Sequence, residues 1–203
     1  SGVIADSEYI SKQSQPYNKN VIWVPDSVEM DSVPALRHRS EKRRLCLVWS
    51  GDAVKLFEFL VIETTLRRYS SYLKLVLVTS DMSVMSRWSD EYVKRLEKLF
   101  SDLDVTIYPY KGIEDLFEKY SGADVVISPR FLDNSYNLGH TEWKLTLGMA
   151  CGCVAVASSV PSYQTVLSRS VSEEIILCSG DDQWCSAFDY LLGNRPMMDV
   201  RQD

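Results

Sequence analysis

A parallel β-sheet covered by helices on both faces is the fold predicted for this chain of 203 residues. Three observations carry that prediction. Short β-branched runs alternate with amphipathic stretches, the order expected of successive βαβ units. Several runs (LCLVW, LKLVLV, ADVVI) are almost continuously apolar, which suits strands buried on both faces. Between them, residues 90–100 repeat with a helical period, placing Tyr92, Val93, Leu96, Leu99 and Phe100 on one face and charges opposite. The domain is therefore α/β and Rossmann-like.

The first predicted strand, residues 21–25, is followed by a Pro- and Ser-rich loop over 26–40. Strands follow at 45–50, 74–79, 104–108, 124–128, 154–157 and 174–178. Helices are predicted at 54–68, 90–101, 113–120, 142–151, 162–167 and 183–192, with Ser89 or Asp90 capping the second. No internal repeat or low-complexity tract interrupts the series, so residues 1–203 read as one domain.

Composition narrows the function. The chain is 45% hydrophobic and 25% charged, ordinary for a globular protein, and its net charge of −6 disfavours a nucleic-acid partner. The one basic run, residues 37–44, carries a glutamate and reads as a solvated linker. Five cysteines form no disulfide framework, and with two histidines, His38 and His140, they show no zinc spacing. Cys151-Gly152-Cys153 reads as a helix-to-strand junction. These features predict a reducing, cytoplasmic setting without metal, cofactor or transmembrane segment.

Ligands of open α/β sheets bind outside the carboxyl ends of the strands. Two loops there stand out. Trp49-Ser50-Gly51-Asp52-Ala53-Val54-Lys55 is a strand, a small turn and a helix start, which can offer amides and a lysine to an anion. It also reads as an ordinary turn with a surface lysine. Residues 129–141 (PRFLDNSYNLGHT) exceed the usual two to six residues of such connections, and long rim loops are often functional. They lead into a helix carrying Trp143 and Lys144. His140 can hydrogen-bond a phosphate or sugar hydroxyl there.

The stretch EWKLTLGMACGCVAVASSVPSY resembles the signature helix, strand and turn of the retaining glycosyltransferases of family 4, which have the GT-B fold. Met149-Ala150, Gly152, residues 154–158 and residues 161–163 fall in register with that family's Met-Ala, Gly, Val-Val-Ala-Ser and Pro-x-Tyr elements. Weaker matches run along nearly the whole chain in the right order. VIADSEYISK resembles an interdomain hinge over residues 1–20, and LCLVWSGDAVK resembles the phosphate turn.

The resemblance implies one half of a GT-B enzyme: a C-terminal-type domain that binds a nucleoside-diphosphate sugar. An N-terminal domain outside this chain would hold a carbohydrate or lipid-linked acceptor and any peripheral membrane contact. It places Gly51 and Lys55 on the diphosphate, with Ser50 also donor-binding, and Tyr108, Pro109 and Tyr110 under the base. His140, Thr141, Glu142, Trp143 and Lys144 fall in the loop that touches sugar and diphosphate, with His140 and Glu142 as catalytic candidates. Departures are plain. The family's paired glutamates would fall on His140 and Gly148, and its turn arginine is Asp52. A non-catalytic nucleotide-sugar-binding module and another GT-B enzyme, such as a sugar-nucleotide epimerase, are the alternatives.

Overall fold

A computed structural model describes residues 1–34, 44–87, 89–170 and 174–194. The basic run lies outside these except for Arg44, whose exposed guanidinium pairs with Asp104 at 3.1 Å. His38 also lies outside them.

The chain opens with β1 (Val3–Ala5), α1 (Glu8–Ser14) and β2 (Val21–Trp23). The two strands pair in parallel, Val3 opposite Val21 and Ala5 opposite Trp23, as a sheet of their own. The strand expected at 21–25 therefore forms without joining the main sheet. Its neighbour, β1, was not predicted. Helix α1 is capped by Ser7, whose hydroxyl accepts from the Ile10 amide at 3.2 Å.

The main sheet is built from β3 (Leu45–Gly51), β4 (Leu73–Thr79), β5 (Val105–Pro109), β6 (Val125–Ser128), β7 (Val154–Ser158) and β8 (Ile175–Cys178). Its order is β5-β4-β3-β6-β7-β8, all parallel. The chain winds outward from β3 in one direction and from β6 in the other. The switch point lies between their carboxyl ends, Gly51 and Ser128, where such sheets open a ligand crevice.

Alternation along β3 sends Leu45, Leu47 and Trp49 to one core and Cys46 and Val48 to the other. Helices α2 (Glu63–Arg68), α3 (Asp90–Ser101) and α8 (Asp181–Gly193) bury residues in the first core, while α4 (Ile113–Ser121), α6 (Trp143–Ala150) and α7 (Pro161–Arg169) do so in the second. A further single turn, α5 (Ser135–Leu138), was not predicted; Asn134 caps it by accepting from the Asn137 amide. Ser89 does precede α3, but its side chain makes no capping bond.

The helix predicted over 54–68 is divided. Ala53–Ile62 winds as 3-10 turns before α2 begins. Three residues per turn align Leu56, Phe59 and Ile62, all fully buried, in one row over the sheet. The same winding turns Glu58 inward. Two glycines have steric causes. Gly152, at φ +80°, follows α6 in the left-handed conformation that lets the chain enter β7. A Cβ on Gly148 would lie 2.4 Å from Val126 Cγ1, so α6 can approach β6 this closely only without a side chain there.

Candidate functional site

The phosphate-turn candidate lies where β3 ends. Asp52 caps the 3-10 segment by accepting from the Val54 amide at 3.1 Å, and Ser80 donates to the same carboxylate oxygen at 3.2 Å. Asp52 therefore serves the turn itself. The Ser50 hydroxyl bonds that of Tyr120 at 2.8 Å, and Ser50 also lines the cleft beside the turn.

Cations converge on this turn. Lys144, at the start of α6, reaches back so that its Nζ lies 4.5 Å from the Trp49 ring centroid and 3.5 Å from where a Gly51 Cβ would stand. Lys55 Nζ sits 3.4 Å from His140 Nε2 and 5.3 Å from the Tyr136 ring centroid. Tyr136 and His140 meet edge to face at 4.9 Å. Beneath them Arg130 bonds Glu58 through Nη1 at 3.0 and 3.2 Å, an ion pair whose side chains are 3% and 7% exposed. Sequence reading missed both residues. Glu58 was hidden in an apolar run and Arg130 in a loop.

Three cationic side chains thus share one carboxylate. The imbalance shows in their proton affinities. Burial, then the charge of Arg130, holds the Lys144 ammonium well below the usual lysine range, although Glu58 opposes this. Burial raises Glu58, against the pull of Arg130 and Lys144. His140 is pushed down to about 3 by burial and then by Arg130, Lys55 and Lys144, so its imidazole is neutral near pH 7. Because an ammonium has only donors, the contact with Lys55 assigns Nε2 as acceptor and the ring proton to Nδ1.

A cleft of about 290 Å³ adjoins the turn. Gly51, Asp52 and Ser80 lie along it with Tyr110 and Trp143, over Val78 and Leu116. Of the predicted ledge, Tyr110 lines this cleft, whereas Tyr108 and Pro109 do not; the Tyr108 ring has the Lys119 ammonium 4.9 Å from its centroid. Trp143 serves both the cleft and the core beneath it.

No protein-family model and no curated protein matches the sequence. Solved structures do match the fold. HepE from Anabaena, solved with UDP and glucose, superposes with a TM-score of 0.74 at 12% identity, over 100% of this chain and 56% of its own. A glycosyltransferase from Rickettsia africae gives 0.69 at 14% identity, over 99% and 56%. The C-terminal domain of a group 1 glycosyltransferase (LpcC) from Francisella tularensis gives 0.55 at 13%, over 85% and 91%. The chain has the fold of a GT-B C-terminal domain. It spans about half the length of the first two of these proteins.

Within that GT-B half the expected site divides in two. His140 faces Lys55, Lys144 and Arg130. Glu142 is 7% exposed and faces Asp26, Arg169 and Asp6 instead; burial raises its carboxyl and Asp26 adds to the effect. Its Oε2 is buried without a hydrogen-bond partner among the described residues. Thr141 is half-buried between the two. The loop is tied to α1 and α7, since Ser7 Oγ donates to the Gly139 carbonyl at 3.0 Å and Ser162 Oγ to that of His140 at 2.5 Å. A second carboxylate eight positions on is sterically barred, because Gly148 has Val126 against it.

Among the described residues no group of three His, Cys, Asp or Glu side chains is placed to hold a metal, and no helix is long and apolar enough to cross a membrane. Asp102 and Asp104, an Asp-x-Asp pair, precede β5 at the amino end of the sheet and pair with Arg67 and Arg44. They stand far from the ligand rim.

Proposed function

We propose that this domain binds the nucleoside-diphosphate sugar of a retaining glycosyltransferase, with the diphosphate at the Gly51 turn. The observation that carries the reading is the convergence of Lys55, Lys144 and Arg130 near a switch-point turn, where Glu58 and the turn's own Asp52 are the carboxylates beside them. Preorganised cations of this kind stabilise the charge that develops on a leaving diphosphate. No metal is needed for that step. The cleft between the turn, Tyr110 and Trp143 takes the nucleoside, and the neutral His140 donates through Nδ1 to a sugar hydroxyl. The acceptor, a carbohydrate or a lipid-linked one, is held by an N-terminal domain that meets this one across the cleft, in the cytoplasm.

A non-catalytic nucleotide-sugar-binding module is the second reading. Gly148, which leaves no room for the second family carboxylate, and the low proton affinity of His140 favour it. A thermal-shift panel of UDP, GDP, ADP and their sugars tests the binding both readings share, since a ligand of the folded state raises its stability. No shift with any of them overturns both. A transfer assay on the two-domain protein then separates them.

A further inference from the structure

Trp49 is fully buried and packs edge-on against Phe59 at 5.7 Å, which alone would make it an ordinary core residue. Two features do not fit that role. Its indole N–H is buried with no hydrogen-bond partner among the described residues, a cost that a leucine or phenylalanine would avoid. Its ring also carries the Lys144 ammonium, 4.5 Å from the centroid. Tryptophan offers the most electron-rich face for a cation among the aromatic side chains.

Gly51 completes the arrangement. A Cβ there would lie 2.8 Å from ring atoms Cη2 and Cζ2 and 3.5 Å from Lys144 Nζ. Any other residue would therefore wedge against the ring beside the ammonium. Among the described residues, the titratable groups that face Lys144 are Arg130 and Lys55, which repel it, Glu58, which attracts it, and the neutral His140. Glu58 is already engaged by Arg130. The ring is the attractive surface not spent on another cation.

We propose that Trp49 is a positioning residue of the anion site, its indole face holding the Lys144 ammonium beside the Gly51 turn where the diphosphate binds. This rests on the nucleotide-sugar reading above. Trp49 acts through Lys144 and need not touch the ligand. The aromatic face preorganises a lysine that burial and neighbouring cations would otherwise expel.

The test is a double-mutant cycle on the whole 203-residue chain, with UDP and inorganic pyrophosphate as calorimetric probes. Lys144→Met and Trp49→Leu are each expected to weaken both probes about tenfold, the scale of one charge-assisted contact. Trp49→Leu added to Lys144→Met is expected to cost less than about threefold more, because the ring then has no ammonium to hold. Trp49→Phe, which keeps a face, is expected to bind within about threefold of the parent. The alkaline fall in affinity should also move to lower pH in Trp49→Leu, a displacement that loss of packing alone would not produce. Additive losses, or an unmoved alkaline limb, overturn the proposal. If Trp49→Leu does not fold, the cycle with Trp49→Met, whose flexible side chain fills the ring's space better without an aromatic face, decides. If the parent chain binds neither probe, the nucleotide-sugar reading fails; an NMR titration of the Lys144 ε-amine then judges the Trp49 contact alone, and a titration unchanged by loss of the ring face, in Trp49→Leu or Trp49→Met, overturns it.

Discussion

Arg130 and Glu58 lie 72 positions apart in sequence and form one buried ion pair, with Nη1 at 3.0 and 3.2 Å from the two carboxylate oxygens. The pair fastens the loop after β6 to the 3-10 segment after β3, across the switch point of the sheet. After burial, Arg130 is the next cause that lowers the proton affinity of both Lys144 and His140. Removing one partner of such a pair leaves the other charge buried and unpaired, which typically costs about 3–5 kcal/mol. Glu58→Gln is therefore expected to destabilise the domain by that order. Glu58→Leu with Arg130→Met should cost clearly less than the sum of the single changes. Urea unfolding of the parent and these four variants checks both statements, and additive losses would contradict the pairing.

The two lysines give the second prediction. Each is expected to make a charge-assisted contact with the donor diphosphate worth about 1.5–3 kcal/mol, roughly tenfold to a hundredfold in affinity. Lys55→Ala and Lys144→Ala should each weaken UDP binding on that scale while circular dichroism stays unchanged. Calorimetry that finds both variants binding like the parent would place the diphosphate elsewhere.

Much of this site is legible in the amino-acid sequence. Uninterrupted apolar runs mark the strands of the main sheet, because a strand buried on both faces has no polar register to hide it. Once the strands are parallel, the rim follows, and with it Gly51, Lys55, His140 and Lys144. What escapes depends on contacts between distant residues. Glu58 sits between Phe57 and Phe59 in a run that reads as one helix, and only 3-10 winding turns it inward. Arg130 follows a proline, where a loop arginine is unremarkable until its partner is known. Strand β1 escapes because three residues pair with a segment 18 positions away and carry no period of their own.

A third prediction concerns pH. The unfolded imidazole titrates near 6.5 and the folded one near 3, so the unfolded chain binds more protons between those values. Stability held at His140 is full above about pH 6.5 and is lost as pH falls toward 3. Glu142 acts in the opposite sense. Its folded carboxyl is raised, so stability declines as pH climbs from the unfolded value through the folded one. His140→Gln should accordingly flatten the loss of melting temperature between pH 7 and 4, and Glu142→Gln should raise the melting temperature at pH 7. If His140→Gln follows the parent curve, the imidazole is charged in the fold.

The last prediction concerns the second domain that the proposed reading calls for. HepE from Anabaena and the glycosyltransferase from Rickettsia africae are matched over only 56% of their length. On the proposed reading the acceptor is held by the other half, above His140 and Lys144. Holding two reactants in line accounts for about 7–11 kcal/mol of a barrier, and a single domain can orient only one of them. The 203 residues are thus expected to bind UDP and its sugar with measurable affinity yet transfer a negligible amount of sugar. Joining the N-terminal domain in cis should restore transfer. His140 would then supply a hydrogen bond to the sugar in place of a family glutamate, so His140→Ala should lower the rate more than it lowers donor affinity. Side-by-side transfer and binding assays on the domain and the joined protein decide the matter. Efficient transfer by the domain alone refutes the two-domain arrangement, whereas a joined protein that binds donor but transfers none establishes the non-catalytic reading.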